Sequence, residues 1–153
     1  MTRARNRSNQ YERTRRAHKN ETAEDYVEAI ADLIEEKGEA RGVDLAARMG
    51  VSNVTVSRIV SRLKRLGYVN YQPYRPIFLT DEGRRLADES QRRHGIVLAF
   101  LQNLGIAGGT ASSDAEGIEH HVSEETLRAF KRISEVCASD PALRKKLSRK
   151  PKT

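Results

Sequence analysis

This chain of 153 residues has no tryptophan, only 5% aromatic residues and a single cysteine. A core so poor in rings has to be aliphatic, and the expected fold is mainly α. Cys137 has no second cysteine to pair with, which fits a reducing cytosol and a small, at least half-buried helix residue without a redox role. No apolar run approaches the roughly 20 residues that span a bilayer. The arginine-rich start also lacks the apolar core of a signal peptide. No membrane partner is expected, and the protein is read as soluble and cytoplasmic. The length suffices for one ordinary domain or two small ones sharing a core.

Charge is plentiful and unevenly placed. The net charge is +7, with 32% of residues charged. Residues 1–20 carry seven basic groups against Glu12 alone, and residues 141–153 carry six with no acid. The body between them is therefore acidic, except for residues 39–80, where seven basic groups face Glu39 and Asp44. A basic island in an acidic body points to a nucleic-acid face and, separately, to a cation site.

Taken in order, residues 1–20 lack apolar periodicity and read as a disordered basic tail, able to add non-specific phosphate attraction or merely to solubilise. Tyr26, Val27, Ile30, Leu33 and Ile34 then recur at helical spacing, with Gly38 as a stop. Residues 43–49 read as a short helix, Gly50 as a turn, and Ser52 as the N-cap of a second helix running to about Leu66. Ala46 is small where two helices must approach closely. Leu45, Met49, Val51, Val56 and Ile59 supply the inward positions. Outward lie Asn53, Thr55, Ser57, Arg58, Ser61 and Arg62, short polar groups and guanidinium forks able to reach base edges or phosphates. A plain polar face is the alternative. Residues 68–72 and 77–80 read as two strands around a proline-bounded turn. A hairpin in that place is a wing, with Arg75 at its tip placed to touch phosphate. Thr80 or Asp81 caps a long helix to about Leu104, whose seam is Leu86, Val97, Leu101 and Leu104, with His94 in it and Ile96 and Phe100 beside it. Residues 105–113 read as a loop made mobile by two adjacent glycines. A helix carrying Glu116, another capped by Ser123 over residues 124–138, and a short basic end follow. The expected division is a basic tail over 1–20, a winged helix-turn-helix over 21–80, a helical metal-binding and dimerisation domain over 81–140, and a basic tail over 141–153.

The chemistry concentrates in residues 114–121, Asp-Ala-Glu-Gly-Ile-Glu-His-His. If these are helical, Glu116, Glu119 and His120 share one face at i, i+3 and i+4. Two carboxylates and an imidazole suit Mn(II) or Fe(II), whereas zinc or copper would be expected to draw more sulfur or nitrogen. A solvated helix face is the alternative, and three ligands rarely complete a site. Asp25 and Glu28 form a second carboxylate pair, which read alone is a favourable placement of acids near a helix start. His94 read alone is a hydrogen-bonded core histidine. The three places together favour a metal site.

The order of helix, helix-turn-helix, wing and long helix, with Glu24-Asp25-Tyr26-Val27-Glu28, Arg93-His94 and the 114–121 motif, resembles the manganese-responsive branch of the diphtheria toxin repressor family. The likeness covers residues 22 to about 137. It implies that Asp25, Glu28, His94, Glu116, Glu119 and His120 hold two neighbouring Mn(II) ions per subunit, Glu28 and Glu119 bridging. It implies a homodimer on double-stranded operator DNA, repressing manganese uptake when the metal is plentiful. Four carboxylates and two divalent ions balance in charge, so the metal-free cluster repels itself and the loaded one is neutral. His121 lies about 100° around the helix from His120 and is left outside the ligand set. Iron-tuned relatives place sulfur-bearing residues at the positions of Asp25 and Glu116, and the iron-dependent branch adds an SH3-like domain that is missing here. Both differences favour manganese. The sequence departs from the family at Val54, where relatives often have proline, at Gly95 inside the long helix, in the glycine-rich loop and in the basic first tail. An iron-responsive repressor, a di-metal hydrolase and a winged-helix sensor of a small organic ligand are the competing readings. Against a hydrolase stand the absence of a His-Glu-x-x-His motif and of any sign of a pocket for a small-molecule substrate.

Overall fold

In the computed structural model, residues 2–148 are described, with side chains from residue 20 onward. They form seven helices and one two-stranded sheet. The chain divides into two compact units, Met1–Ser90 and Gln91–Thr153. Among the described residues no helix is long and apolar enough to cross a membrane.

In the first unit, α1 spans Thr2–Lys37. Tyr26, Val27, Ile30 and Leu33 are buried from it, as their spacing requires. Residues 2–20, expected as a disordered basic tail, fall within the bounds of this helix. Neither glycine nor proline interrupts that stretch, and Arg, Ala, Gln, Glu and Lys are good helix formers. Extending a helix already nucleated by the packed turns costs little per residue. Next come α2 (Gly42–Met49) and α3 (Asn53–Arg65). Gly50 joins them at φ 65°, a left-handed conformation that an L side chain resists. Ser52 Oγ caps α3 by accepting from Thr55 N at 3.2 Å. Leu45, Val56, Val60 and Leu63 are buried between these helices and α1. Val51 was expected inward but is 36% exposed. Val51 stands in the turn before α3, its N–H donating to Ala46 O at 3.1 Å, while the buried positions of α3 itself recur at 56, 60 and 63.

The sheet pairs β1 (Val69–Asn70) with β2 (Phe78–Leu79) antiparallel, Val69 opposite Leu79, and an isolated bridge joins Ala40 to Ile77. The strands are shorter than expected. Tyr71 O accepts from Lys64 Nζ at 2.9 Å, Gln72 O accepts from Arg75 N within the turn, and Pro73 and Pro76 have no N–H to lend a ladder.

Helix α4 runs over Asp81–Asn103. Thr80 fastens its start to the wing: its hydroxyl donates to Gly67 O at 2.6 Å and accepts from Gly83 N at 3.1 Å, and its own N–H donates to Tyr68 O at 3.0 Å. Leu86 and Ala87 join the first core, while Val97 and Leu101 belong to the second. The packing therefore parts at Ser90, inside α4, and not at residue 80 where the sequence expectation placed the boundary.

In the second unit, α5 covers Gly108–Glu119. The expected mobile loop over 105–113 shrinks accordingly, because Ala111 is fully buried against Val97, Leu101, Ala115 and Leu127, and that contact favours a helix beginning before it. Stacked Phe100 and Phe130 rings, centroids 4.0 Å apart, pack beside this core. Helix α6 spans Glu124–Ser139, with Ser123 Oγ accepting from Thr126 N at 3.2 Å, and Cys137 is buried on it. The region expected as a basic end forms α7, Pro141–Leu147. Asp140 caps it by accepting from Ala142 N and Leu143 N at 3.0 Å each, and proline suits its first turn.

Gly83 is where α4 presses on the wing. A Cβ built there would lie 2.0 Å from Tyr68 O, a backbone atom that cannot step aside alone. Gly83→Ala is expected to destabilise the first unit by about 1–3 kcal/mol, as overpacking does, and a denaturant titration against the unaltered chain checks it.

Candidate metal centre and nucleic-acid interface

The second unit gathers three donors. One ligand atom each from His94, Glu116 and Glu119 lies within 4.8 Å of the others. His94 Nδ1 is 2.8 Å from Glu119 Oε2 and 3.4 Å from Glu116 Oε1. His94 is presented by α4 three residues before fully buried Val97. Glu116 and Glu119 stand one helical turn apart near the end of α5. Glu119 continues the buried stripe of Ala111 and Ala115 at four-residue intervals, and only 1% of it is exposed. His120 is the C-cap of α5 in right-handed conformation, its Nε2 3.7 Å from Glu119 Oε1. His121 is exposed. Asp25 and Glu28 lie on α1 in the first unit, half-buried and one turn apart.

Electrostatics at Glu119 are dominated by desolvation. Burial pushes its carboxyl up to about 7, against the opposing pull of the His94 imidazole by charge and hydrogen bond and of His120 by charge, while the Glu116 carboxylate adds to the rise. A buried carboxylate flanked by a second carboxylate calls for a cation. Two hard oxygen donors and one imidazole, converging from two helices, fit a divalent ion of the Mn(II) or Fe(II) kind.

In the first unit, Asn53, Ser57, Arg58 and Ser61 are exposed along α3, and Arg75 is exposed at the wing. Asn53, Ser57 and Ser61 line a cavity of about 590 Å³ together with Tyr71, Tyr74 and Arg75. Thr55 and Arg62 are half-buried, and the Thr55 hydroxyl sits 3.0 Å from Ser52 Oγ within the cap. Arg41 and Arg48 of the basic island are engaged by acids, Arg41 with Glu39 and Arg48 with Asp32 and Glu36. Two residues of this face were not read as contacts from the sequence. Val54 is 73% exposed on α3. Tyr74 is fully exposed at the wing tip with φ 63°. The two prolines around Tyr74-Arg75 mark the turn but give no sign of its handedness.

A family model described as the iron dependent repressor, N-terminal DNA binding domain, matches residues 19–77. A second, described as the metal binding and dimerisation domain of the same repressors, matches residues 80–147. The transcriptional regulator MntR of Escherichia coli O157:H7 is 54% identical over 121 residues, which cover 79% of this chain and 78% of that protein. The chain belongs to the diphtheria toxin repressor family, in its MntR group. As a member of that family it is a transcriptional regulator and not an enzyme, with a DNA-binding domain followed by one for metal binding and dimerisation. The HTH-type transcriptional regulator MntR of Bacillus subtilis is 35% identical over 124 residues, covering 81% of this chain and 87% of the relative. Among solved structures, a manganese-dependent transcriptional repressor in complex with manganese superimposes with a TM-score of 0.67 at 32% identity over 74% of this chain. The manganese regulator SloR gives 0.65 at 28% identity over 74%. The chain spans about half the length of each of these two solved chains, 52% and 53%. The family segments meet between residues 77 and 80, close to the boundary expected from sequence, whereas packing divides at Ser90.

Glu119 makes metal-free stability depend on pH. Its folded value, about 7, lies above the ordinary carboxyl range. In the window between them the folded state holds a proton that the unfolded chain has lost, so this group's contribution falls as pH rises through the window and is level above it. Chelator-treated protein is expected to melt at lower temperature at about pH 7.5 than at about pH 5.5, and Glu119→Gln should reduce that difference. Thermal melts of both proteins at the two pH values check it.

Proposed function

We propose that this chain is a manganese-responsive transcriptional repressor, acting in the cytoplasm as a homodimer whose grip on operator DNA depends on bound Mn(II). The observation that carries the reading is the His94, Glu116 and Glu119 cluster around a buried carboxylate. In this reading His94, Glu116, Glu119 and His120 from the second unit and Asp25 and Glu28 from α1 hold two ions per subunit. Support for that set comes from the family likeness, from the helical pairing of Asp25 with Glu28, and from the charge balance of four carboxylates with two divalent ions. Carboxylates at Asp25 and Glu116 favour manganese over iron within the family.

The ions act mechanically. Asp25 and Glu28 belong to the helix packed on the DNA-reading helix-turn-helix, and the other ligands belong to the dimerisation unit. Chelation joining them favours one posture, with the two recognition helices of a dimer spaced for successive major grooves. The coupling required is modest: about 1–3 kcal/mol corresponds to roughly 5–150-fold in DNA affinity. Asn53, Thr55, Ser57, Arg58, Ser61 and Arg62 face the duplex from α3, and Arg75 meets phosphate from the wing. The genes repressed are those for manganese uptake.

A gel shift on the upstream regions of the chain's own operon and of manganese uptake genes, titrated with Mn(II), Fe(II) and Zn(II) under reducing conditions, tests the proposal. Retarded DNA should appear with Mn(II) and disappear with chelator, and Glu119→Ala should lose the metal-dependent shift. Equal retardation with and without metal would sink the reading. Arg58→Ala is expected to weaken the metal-loaded complex by about 1–3 kcal/mol if it reads a guanine, which a fluorescence anisotropy titration at fixed salt measures.

A further inference from the structure

Arg93 precedes His94 on α4, and its guanidinium reaches the segment that follows α5. Nε donates to Glu119 O at 3.1 Å, and Nη2 donates to Glu119 O at 2.5 Å and to Val122 O at 2.8 Å. Nη1 donates to Glu124 Oε1 at 3.1 Å. Glu124 in turn accepts from Arg92 Nη2 at 2.9 and 3.1 Å through its two oxygens. One side chain, itself only 18% exposed, thus ties the last residue of α5, the turn after it and the first residue of α6 to α4.

The acceptors are unusual in where they sit. Carbonyls in the last turn of a helix lack intrahelical donors, and a cation placed there meets both an unmet hydrogen-bonding need and the negative end of the helix dipole. Here that carbonyl belongs to Glu119, whose carboxylate faces His94 at 2.8 Å. Arg93 is the chain neighbour of His94. The same residue therefore fixes the backbone of one donor from a position adjoining the other. The planar fork spreads four such bonds over two carbonyls and a carboxylate, a geometry that the compact, three-donor ammonium of lysine does not reproduce.

We infer that Arg93 is a positioning residue for the metal centre, holding the end of α5 on α4 so that His94 and Glu119 face one another before a cation arrives. The inference rests on the metal reading proposed above. Without the clamp the turn from Glu119 to Ser123 has to be ordered when the ion binds, and affinity falls by that cost.

Manganese affinity measured by competition with a chromogenic chelator, alongside thermal melts of the metal-free protein, tests this. Arg93→Ala should weaken Mn(II) binding by about 10–100-fold, the usual effect of losing a group that orients a ligand. Arg93→Lys keeps the charge and should remain about tenfold weaker or more, with a metal-free melting temperature close to that of the unaltered chain. A role confined to stability predicts the reverse, a lowered melt with affinity kept. If Arg93→Ala does not fold, Arg93→Lys decides. Folded Arg93→Lys that binds Mn(II) as tightly as the unaltered chain overturns the inference alone. Failure of the unaltered chain to bind Mn(II) overturns the metal reading with it.

Discussion

The centre of the second unit is organised by one buried carboxylate. Glu119 lies at the end of a stripe whose preceding members are Ala111 and Ala115, all three withdrawn from solvent. The alanines are buried in one cluster with Val97 and Leu101 of α4, and Glu119, next along the same stripe, is carried to a place where water cannot solvate it. Ionised and alone, such a group would cost several kcal/mol. The fold answers with an imidazole at 2.8 Å and with a raised affinity for a proton. Both answers are partial, since the imidazole is shared with Glu116 and a proton neutralises only one of two acids. A divalent cation answers in full.

The DNA-reading unit solves a different problem, that of presenting polar groups outward from short helices that must themselves be held. Capping at Ser52, the left-handed turn at Gly50 and the burial of Val56, Val60 and Leu63 fix α3 from three sides. The ion pairs of Arg48 with Asp32 and Glu36 add little energy at such exposure, about 0–1 kcal/mol each, but they consume basic groups on the side turned to α1. Arg58 on α3 and Arg75 at the wing are both exposed, on the two elements proposed to meet DNA. The wing is fastened through Thr80 and Gly83 to the start of α4, and the same helix carries His94 in its second half. One continuous helix thus bears both an anchor of the DNA reader and a donor of the metal cluster.

Much of this was legible in the residues. Period and capping chemistry located α1 from Glu21 on, α2, α3, the start of α4 and the start of α6, because each rests on contacts within a few residues. The closeness of His94 to Glu119 was foreshadowed by the coincidence of three donor-bearing stretches and by family likeness, since 25 residues separate them and no local rule joins them. What failed did so for tertiary reasons. Gly108 and Gly109 read as a loop, yet the burial of Ala111 outweighs their weak helix propensity. Val51 read as inward because it is apolar, although it stands in the turn before α3 and is exposed there. The strands were overextended because alternation cannot show that Lys64 takes the carbonyl of Tyr71. Arg93 could be found only in part: its place before His94 drew notice, but the carbonyls it binds become neighbours only on folding.

The raised proton affinity of Glu119 also bears on why such a site would serve regulation rather than structure. In a structural zinc site the metal-free ligands repel one another strongly enough that the fold depends on the ion. Here one of the two acids, Glu119, has a raised affinity for a proton, and the neighbouring core of Val97, Leu101, Ala111, Ala115 and Leu127 is apolar and closes by burial of its own side chains. A unit that stays folded when the ion leaves can bind it again without refolding, so occupancy follows the free concentration of the metal. Under the proposed reading, what the ion changes is then the posture of the DNA reader and not the existence of the domain, and only the first of these can be switched repeatedly at small energetic cost.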